Sequence, residues 1–168
     1  MIRKKKTDPV IAILAVGLVV ALVVMLAALC IPKGAERADF VPPPFDKTAV
    51  TGVPEVPDDI GYSAPYQEGM GYRFAACGNV RMNGTAATVF FTNPEGNEVW
   101  LKLRVLDADG NTLGETGLIK PGEYVKTVEL TRALPAGTHI KLKIMGYEPE
   151  TYHSAGSAVL NTMTGGTD

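Results

Sequence analysis

Two hydrophobic textures divide the chain. Residues 10–31 form one uncharged run, VIAILAVGLVVALVVMLAALCI. Its 22 residues predict a single helix of about 33 Å, against a bilayer core about 30 Å thick. From residue 72 onward the apolar positions come in short stretches between turn signals. Val99, Leu101, Leu103 and Val105 alternate with Trp100, Lys102 and Arg104, the period of a half-buried strand. Ile140, Leu142 and Ile144 alternate with Lys141 and Lys143 in the same way. Residues 86–91, AATVFF, are rich in β-branched and aromatic types. Further strands are predicted at 78–82, 112–116, 124–130 and 157–163. The alternation of 124–130 slips near Lys126, which predicts a bulge or an edge there. Asn93-Pro94-Glu95-Gly96-Asn97, the run from Asp107 to Asn111, Pro121-Gly122 and Pro135-Ala136-Gly137 supply the turns.

About seven strands without helical periodicity predict an all-β domain at residues 72–168. The expected architecture is an Ig-like antiparallel β-sandwich, preceded by one N-terminal transmembrane helix. Residues 32–71 hold seven of the chain's twelve prolines, which predicts a Pro-rich extracytoplasmic linker, with polyproline II at residues 42–44. Residues 1–9 form a basic cytoplasmic tail.

Charge sharpens this picture. The whole chain is slightly acidic, yet Arg3, Lys4, Lys5 and Lys6 cluster just before the apolar run. Positive charge on that flank holds it in the cytoplasm and sends the remainder across. The acidic remainder lacks the basic footprint that nucleic acid requires. Cys30 ends the apolar run and Cys77 lies far downstream, so the domain relies on its core rather than on a disulfide. The run exceeds a signal-peptide core, and Leu29-Cys30-Ile31-Pro32 offers neither an A-x-A cleavage site nor a small residue before the cysteine. An uncleaved signal anchor is therefore expected, with residues 10–31 in the cell membrane and the C-terminal domain extracellular.

Residues 119–125, IKPGEYV, followed by Leu130, Leu134 and Gly137, resemble a recurring pattern in membrane-anchored, Ig-like surface proteins of Gram-positive bacteria. Asn93-Pro94-Glu95-Gly96-Asn97 before a strand is similar to that group too. The resemblance covers residues 84–147, consists of turn and strand motifs, and implies an envelope location without a catalytic residue.

Candidate chemistry is sparse. Asp107, Asp109, Asn111 and Glu115 suggest calcium, but Gly110 comes too early for an EF-hand loop, and a hairpin explains the same residues. His139 and His153 have no second histidine or cysteine at zinc-ligand spacing. Ser63, Ser154 and Ser157 lie in no nucleophile elbow, and Cys77 reads as a small buried apolar residue. No catalytic, cofactor or metal residues are assigned, and no enzyme activity is expected. The remaining signal is aromatic and cationic: Trp100 with Lys102 and Arg104 on one strand face forms a candidate contact surface for protein or glycan. The expected function is display of a β-sandwich for structural or adhesive contact with an envelope protein. The alternative is a carbohydrate- or calcium-binding accessory module.

Overall fold

In the computed structural model, residues 9–30, 40–62, 67–68 and 71–166 are described. The chain divides into two units, Met1–Val41 and Pro42–Asp168.

The first unit contains helix α1, Pro9–Cys30. Proline at the first helical position costs nothing, since its missing N–H would have no partner there. Residues 10, 13, 14 and 16–26, whose side chains are described, are all exposed. Leu14 and Leu18 are each 68% exposed. The helix is apolar on every face rather than along one stripe, a pattern that differs from a surface helix packed on a soluble core. Among the described residues no helix registers as long and apolar enough to cross a membrane.

The second unit is all-β. Its strands are β1 (Val50–Thr51), β2 (Gln67–Glu68), β3 (Arg73–Phe74), β4 (Asn79–Asn83), β5 (Ala86–Asn93), β6 (Trp100–Leu106), β7 (Thr112–Glu115), β8 (Glu123–Glu129), β9 (His139–Tyr147) and β10 (Ser154–Thr164). Eight of them form one sheet in the order β1-β8-β5-β4-β10-β9-β6-β7, and β2 pairs with β3 separately. The four strands β1-β8-β5-β4 make one layer and β10-β9-β6-β7 the other. They join where β10 runs parallel to β4, with Met163 opposite Asn79 and Thr164 opposite Val80. Val80, Val89, Phe91 and Val125 of the first layer share one core with Leu101, Leu103, Leu142 and Ile144 of the second. The period-two pattern of β6 and β9 is realised: Leu101, Leu103, Val105, Ile140, Leu142 and Ile144 are all buried.

The structure differs from the sequence expectation in three respects. The strands number more than seven, and one contact between them is parallel. The slip near Lys126 is a bulge whose extra residue lies in the partner strand. Thr88 pairs with Thr127 and Phe91 with Val125, so Val89 and Phe90 together oppose Lys126. Phe90 sits at φ 43°, a left-handed conformation costly for an aromatic residue, yet its ring is buried, with the Lys126 ammonium 5.8 Å from its centroid.

The third difference concerns the linker. Residues 42–62, part of the linker expected at 32–71, belong to the β unit. Val50 and Thr51 pair with Tyr124 and Glu123 on β8. The Asp46 carboxylate accepts from the Gly117 N–H at 2.7 Å, and the Leu118 N–H donates to the Pro44 carbonyl. Ile60 is fully buried, and Gly78 N–H donates to the Gly61 carbonyl. Proline and glycine here shape a strap that lies on the sheets, tied by main-chain bonds. The described part of the stretch from 63 to 71 adds only β2 and Gly71.

Candidate contact surface

Strand β6 positions Trp100, Lys102 and Arg104 on the outer face of the second layer, as their parity requires. Their neighbours across β9 are Tyr147, Met145 and Lys143. The structure brings the three residues onto one face, with Trp100 and Arg104 half-buried. Lys102 is buried, and its ammonium lies 2.6 Å from Glu115 Oε1. The Arg104 guanidinium holds the other oxygen, with Nη2 at 2.8 Å and Nε at 2.9 Å from Oε2. Burial pushes the Glu115 carboxyl up, but hydrogen bonds and charge from Lys102 and Arg104 outweigh it, so the group titrates below its ordinary value. One carboxylate thus engages both cations of the face.

Trp100 is half-buried between two edge-on aromatic rings. Phe45 lies 4.8 Å away at 75° and Tyr152 5.2 Å away at 60°, both in the edge-to-face geometry that ring quadrupoles favour. The Lys120 ammonium caps Phe45 at 4.8 Å. Tyr152 reaches Trp100 from a tight turn in which both Glu150 and Tyr152 adopt positive φ, 64° and 56°. The Tyr152 N–H donates to the Glu148 carbonyl, which fixes that turn. The row Lys120, Phe45, Trp100, Tyr152 is joined by one cation–ring and two ring–ring contacts.

The other sequence candidates are separated. Asp107 accepts from the Asn111 N–H at 2.8 Å and from its side-chain amide at 3.0 Å. These bonds, the side-chain one foremost, hold the Asp107 carboxyl below its ordinary value. Asp107 thus closes the β6–β7 hairpin while Glu115 serves Lys102 and Arg104. Among the described residues no three His, Cys, Asp or Glu side chains gather as a metal site. His153 Nδ1 stands 3.8 Å from Glu148 on an exposed turn, and His139 starts β9. The Cys77 thiol donates to the Thr88 carbonyl at 3.0 Å. Burial pushes it up to about 12, which keeps it protonated and unreactive at neutral pH.

Sequence reasoning did not place Phe45, Glu115 and Tyr152 on this face. Asp46-Lys47-Thr48 carried a signal, since an Asp two residues before a Thr favours a local turn: Asp46 Oδ1 accepts from both the N–H and the hydroxyl of Thr48. That turn seats Phe45. It also missed Asn93, which is fully buried between the layers. Its amide donates to the carbonyls of Val99 at 2.9 Å and Ile119 at 3.1 Å and accepts from Asn97 Nδ2 at 2.6 Å.

No protein-family model matches the chain, and no curated protein matches it. Among solved structures it is similar to the crystal structure of CopC from Methylosinus trichosporium OB3b. The identity is 16%, over 55% of this chain and 87% of that one, with a TM-score of 0.35.

Proposed function

We propose that this chain is a single-pass membrane protein that displays its β unit outside the cell for structural or adhesive protein contact within an envelope assembly. The observation that carries the reading is α1. Its 22-residue sequence corresponds to about 33 Å of helix, against a bilayer core of about 30 Å. It carries no charge, and its described side chains lie open to whatever surrounds the helix. Arg3, Lys4, Lys5 and Lys6 precede it and favour a cytoplasmic N-terminus. The β unit supports a display role of the immunoglobulin-like kind: two layers share a closed core, and buried side-chain polar atoms among the described residues are all satisfied. The Trp100 face would contribute a preorganised contact patch.

Alkaline extraction of membranes tests the anchor. The full chain is expected in the pellet, and a variant lacking residues 10–31 in the soluble fraction. Release of the full chain by alkali would refute the anchor. Labelling intact cells with an impermeant maleimide tests orientation. A cysteine placed at Thr7 should stay unlabelled and one at Thr131 should react; the reverse pattern would overturn the topology.

A further inference from the structure

We propose that the first part of the strap, residues 42–53, is a releasable cover that opens as a unit ahead of the β core and exposes Trp100. Burial divides the strap at Pro54. From residue 42 to 53 no side chain is buried. Ala49 packs partly against the core, while Val50 and Val53 are 50% and 74% exposed. Pro54 and Ile60, farther along, are buried. A segment held without buried apolar side chains opens locally, at a cost well below the free energy of the whole fold. Pro42, Pro43 and Pro44 also have no N–H to donate, so that stretch holds on only through its carbonyls.

A short set of bonds ties this cover down. The Leu118 N–H donates to the Pro44 carbonyl and the Asp46 N–H to the Leu118 carbonyl, each at 2.9 Å. The Asp46 carboxylate accepts from the Gly117 N–H at 2.7 Å. The Gly52 N–H donates to the Gly122 carbonyl at 2.8 Å, beside the pairing of Val50 and Thr51 with β8. Core bonding begins one residue on. The Ile119 N–H donates to the Leu101 carbonyl at 2.8 Å, and the Leu101 N–H to the Ile119 carbonyl at 3.0 Å. Leu118 and Ile119 are thus neighbours with equally buried side chains, yet the main chain of one is bonded to the cover and that of the other to β6.

The cover carries the ring that caps Trp100. Phe45 stands edge-on at 4.8 Å, seated by the bonds that Pro44 and Asp46 make to Leu118 on either side of it. Opening removes Phe45 together with those bonds and leaves the indole against Tyr152. The contact face therefore has a closed form, capped by Phe45, and an open form with the indole and the Leu118 main chain in solvent. The trigger rests on the membrane-anchor reading: tension passed along the chain from α1 reaches residues 42–53 before any buried residue of the β unit. Fully extended, the released segment spans up to about 40 Å, so opening also lengthens the tether.

The test uses the full chain in mild detergent and reads amide hydrogen exchange residue by residue. The Leu118 and Gly52 amides are expected to exchange together, at least about tenfold faster than Ile119 and Leu101 once intrinsic rates are removed. Gly117→Ala supplies a wedge. Gly117 has no positive φ, so alanine suits its backbone. The nearest neighbours of the added methyl all belong to the cover: the Asp46 nitrogen, the Asp46 Cα at 2.6 Å and the Phe45 carbonyl carbon at 2.7 Å. In this variant Leu118 exchange should rise roughly tenfold again with Ile119 unchanged. Acrylamide should also quench the fluorescence of Trp100, the single tryptophan of the chain, more strongly than in the parent. If Gly117→Ala does not fold, Asp46→Ala, which removes the bond to Gly117, takes its place with the same expected outcomes. Equal exchange at Leu118 and Ile119, or a folded variant that leaves either Leu118 exchange or Trp100 quenching unmoved, would overturn the proposal. A chain that alkali releases from membranes but that keeps this exchange pattern would refute the anchor and leave the cover standing.

Discussion

Replacing Asn93 by alanine removes three hydrogen bonds at a position with no solvent exposure. The bonds are not equivalent. The Ile119 carbonyl also accepts from the Leu101 N–H at 3.0 Å, so it keeps a partner. Asn97 Nδ2 also donates to the Arg73 carbonyl at 2.6 Å. The Val99 carbonyl takes its bond from the Asn93 amide and is the group exposed to an unmet bond. Three bonds at about 1 kcal/mol each, with one acceptor stranded, give a loss of about 2–4 kcal/mol. The assay is urea unfolding of the full chain in detergent, followed by circular dichroism. The midpoint should fall with the slope unchanged, since no surface is added to the unfolded state. Asn93→Asp discriminates further. It keeps the shape but aims a carboxylate at two carbonyl oxygens, so its protonated form is favoured and its folded pKa rises. A raised folded value means that the Asn93→Asp variant is most stable below the ordinary carboxyl range near pH 4 and weakens as pH rises. The alanine variant should show no such slope relative to the parent. A loss below about 1 kcal/mol for alanine, or parallel pH curves for the two variants, would refute the reasoning.

Three other outcomes follow from the same structure. Glu115→Gln should cost about 1–2 kcal/mol, between the surface and buried limits, because Lys102 is buried while Glu115 is more than a third exposed. Since the Glu115 carboxyl titrates below its ordinary value, its contribution is present above that value and lost as pH falls through the folded one, so the two melting curves should converge in acid. Cys77, with its thiol pushed up to about 12, should resist a thiol reagent at pH 8 until urea unfolds the chain; the same shift means stability is retained below the ordinary thiol range and declines as pH climbs toward 12, and rapid native-state labelling would contradict the burial. Gly146→Ala would place a methyl 2.5 Å from the Tyr72 ring; a loss of about 2 kcal/mol is expected, and a double variant with Tyr72→Ala should lose less than the sum of the two.

The sequence made β6 and β9 legible because a half-buried strand repeats every two residues; β9 keeps that repeat throughout and β6 keeps it except at the buried Lys102. The slip near Lys126 was legible for the same reason, although the extra residue lies in β5, where a strand buried from Ala87 onward has no alternation to break. Residues 42–62 were misjudged because a proline-rich strap on a sheet has the same composition as a free linker. What ties it down is the Asp46 carboxylate on Gly117 and main-chain bonds from Leu118 to Pro44 and from Gly52 to Gly122, none of which leaves a hydrophobic period. The parallel contact of β4 with β10 joins residues more than eighty positions apart, and no local pattern encodes it. On the candidate face, parity placed Trp100, Lys102 and Arg104 together. It could not show that Glu115, Phe45 and Tyr152 would converge on them from three other segments.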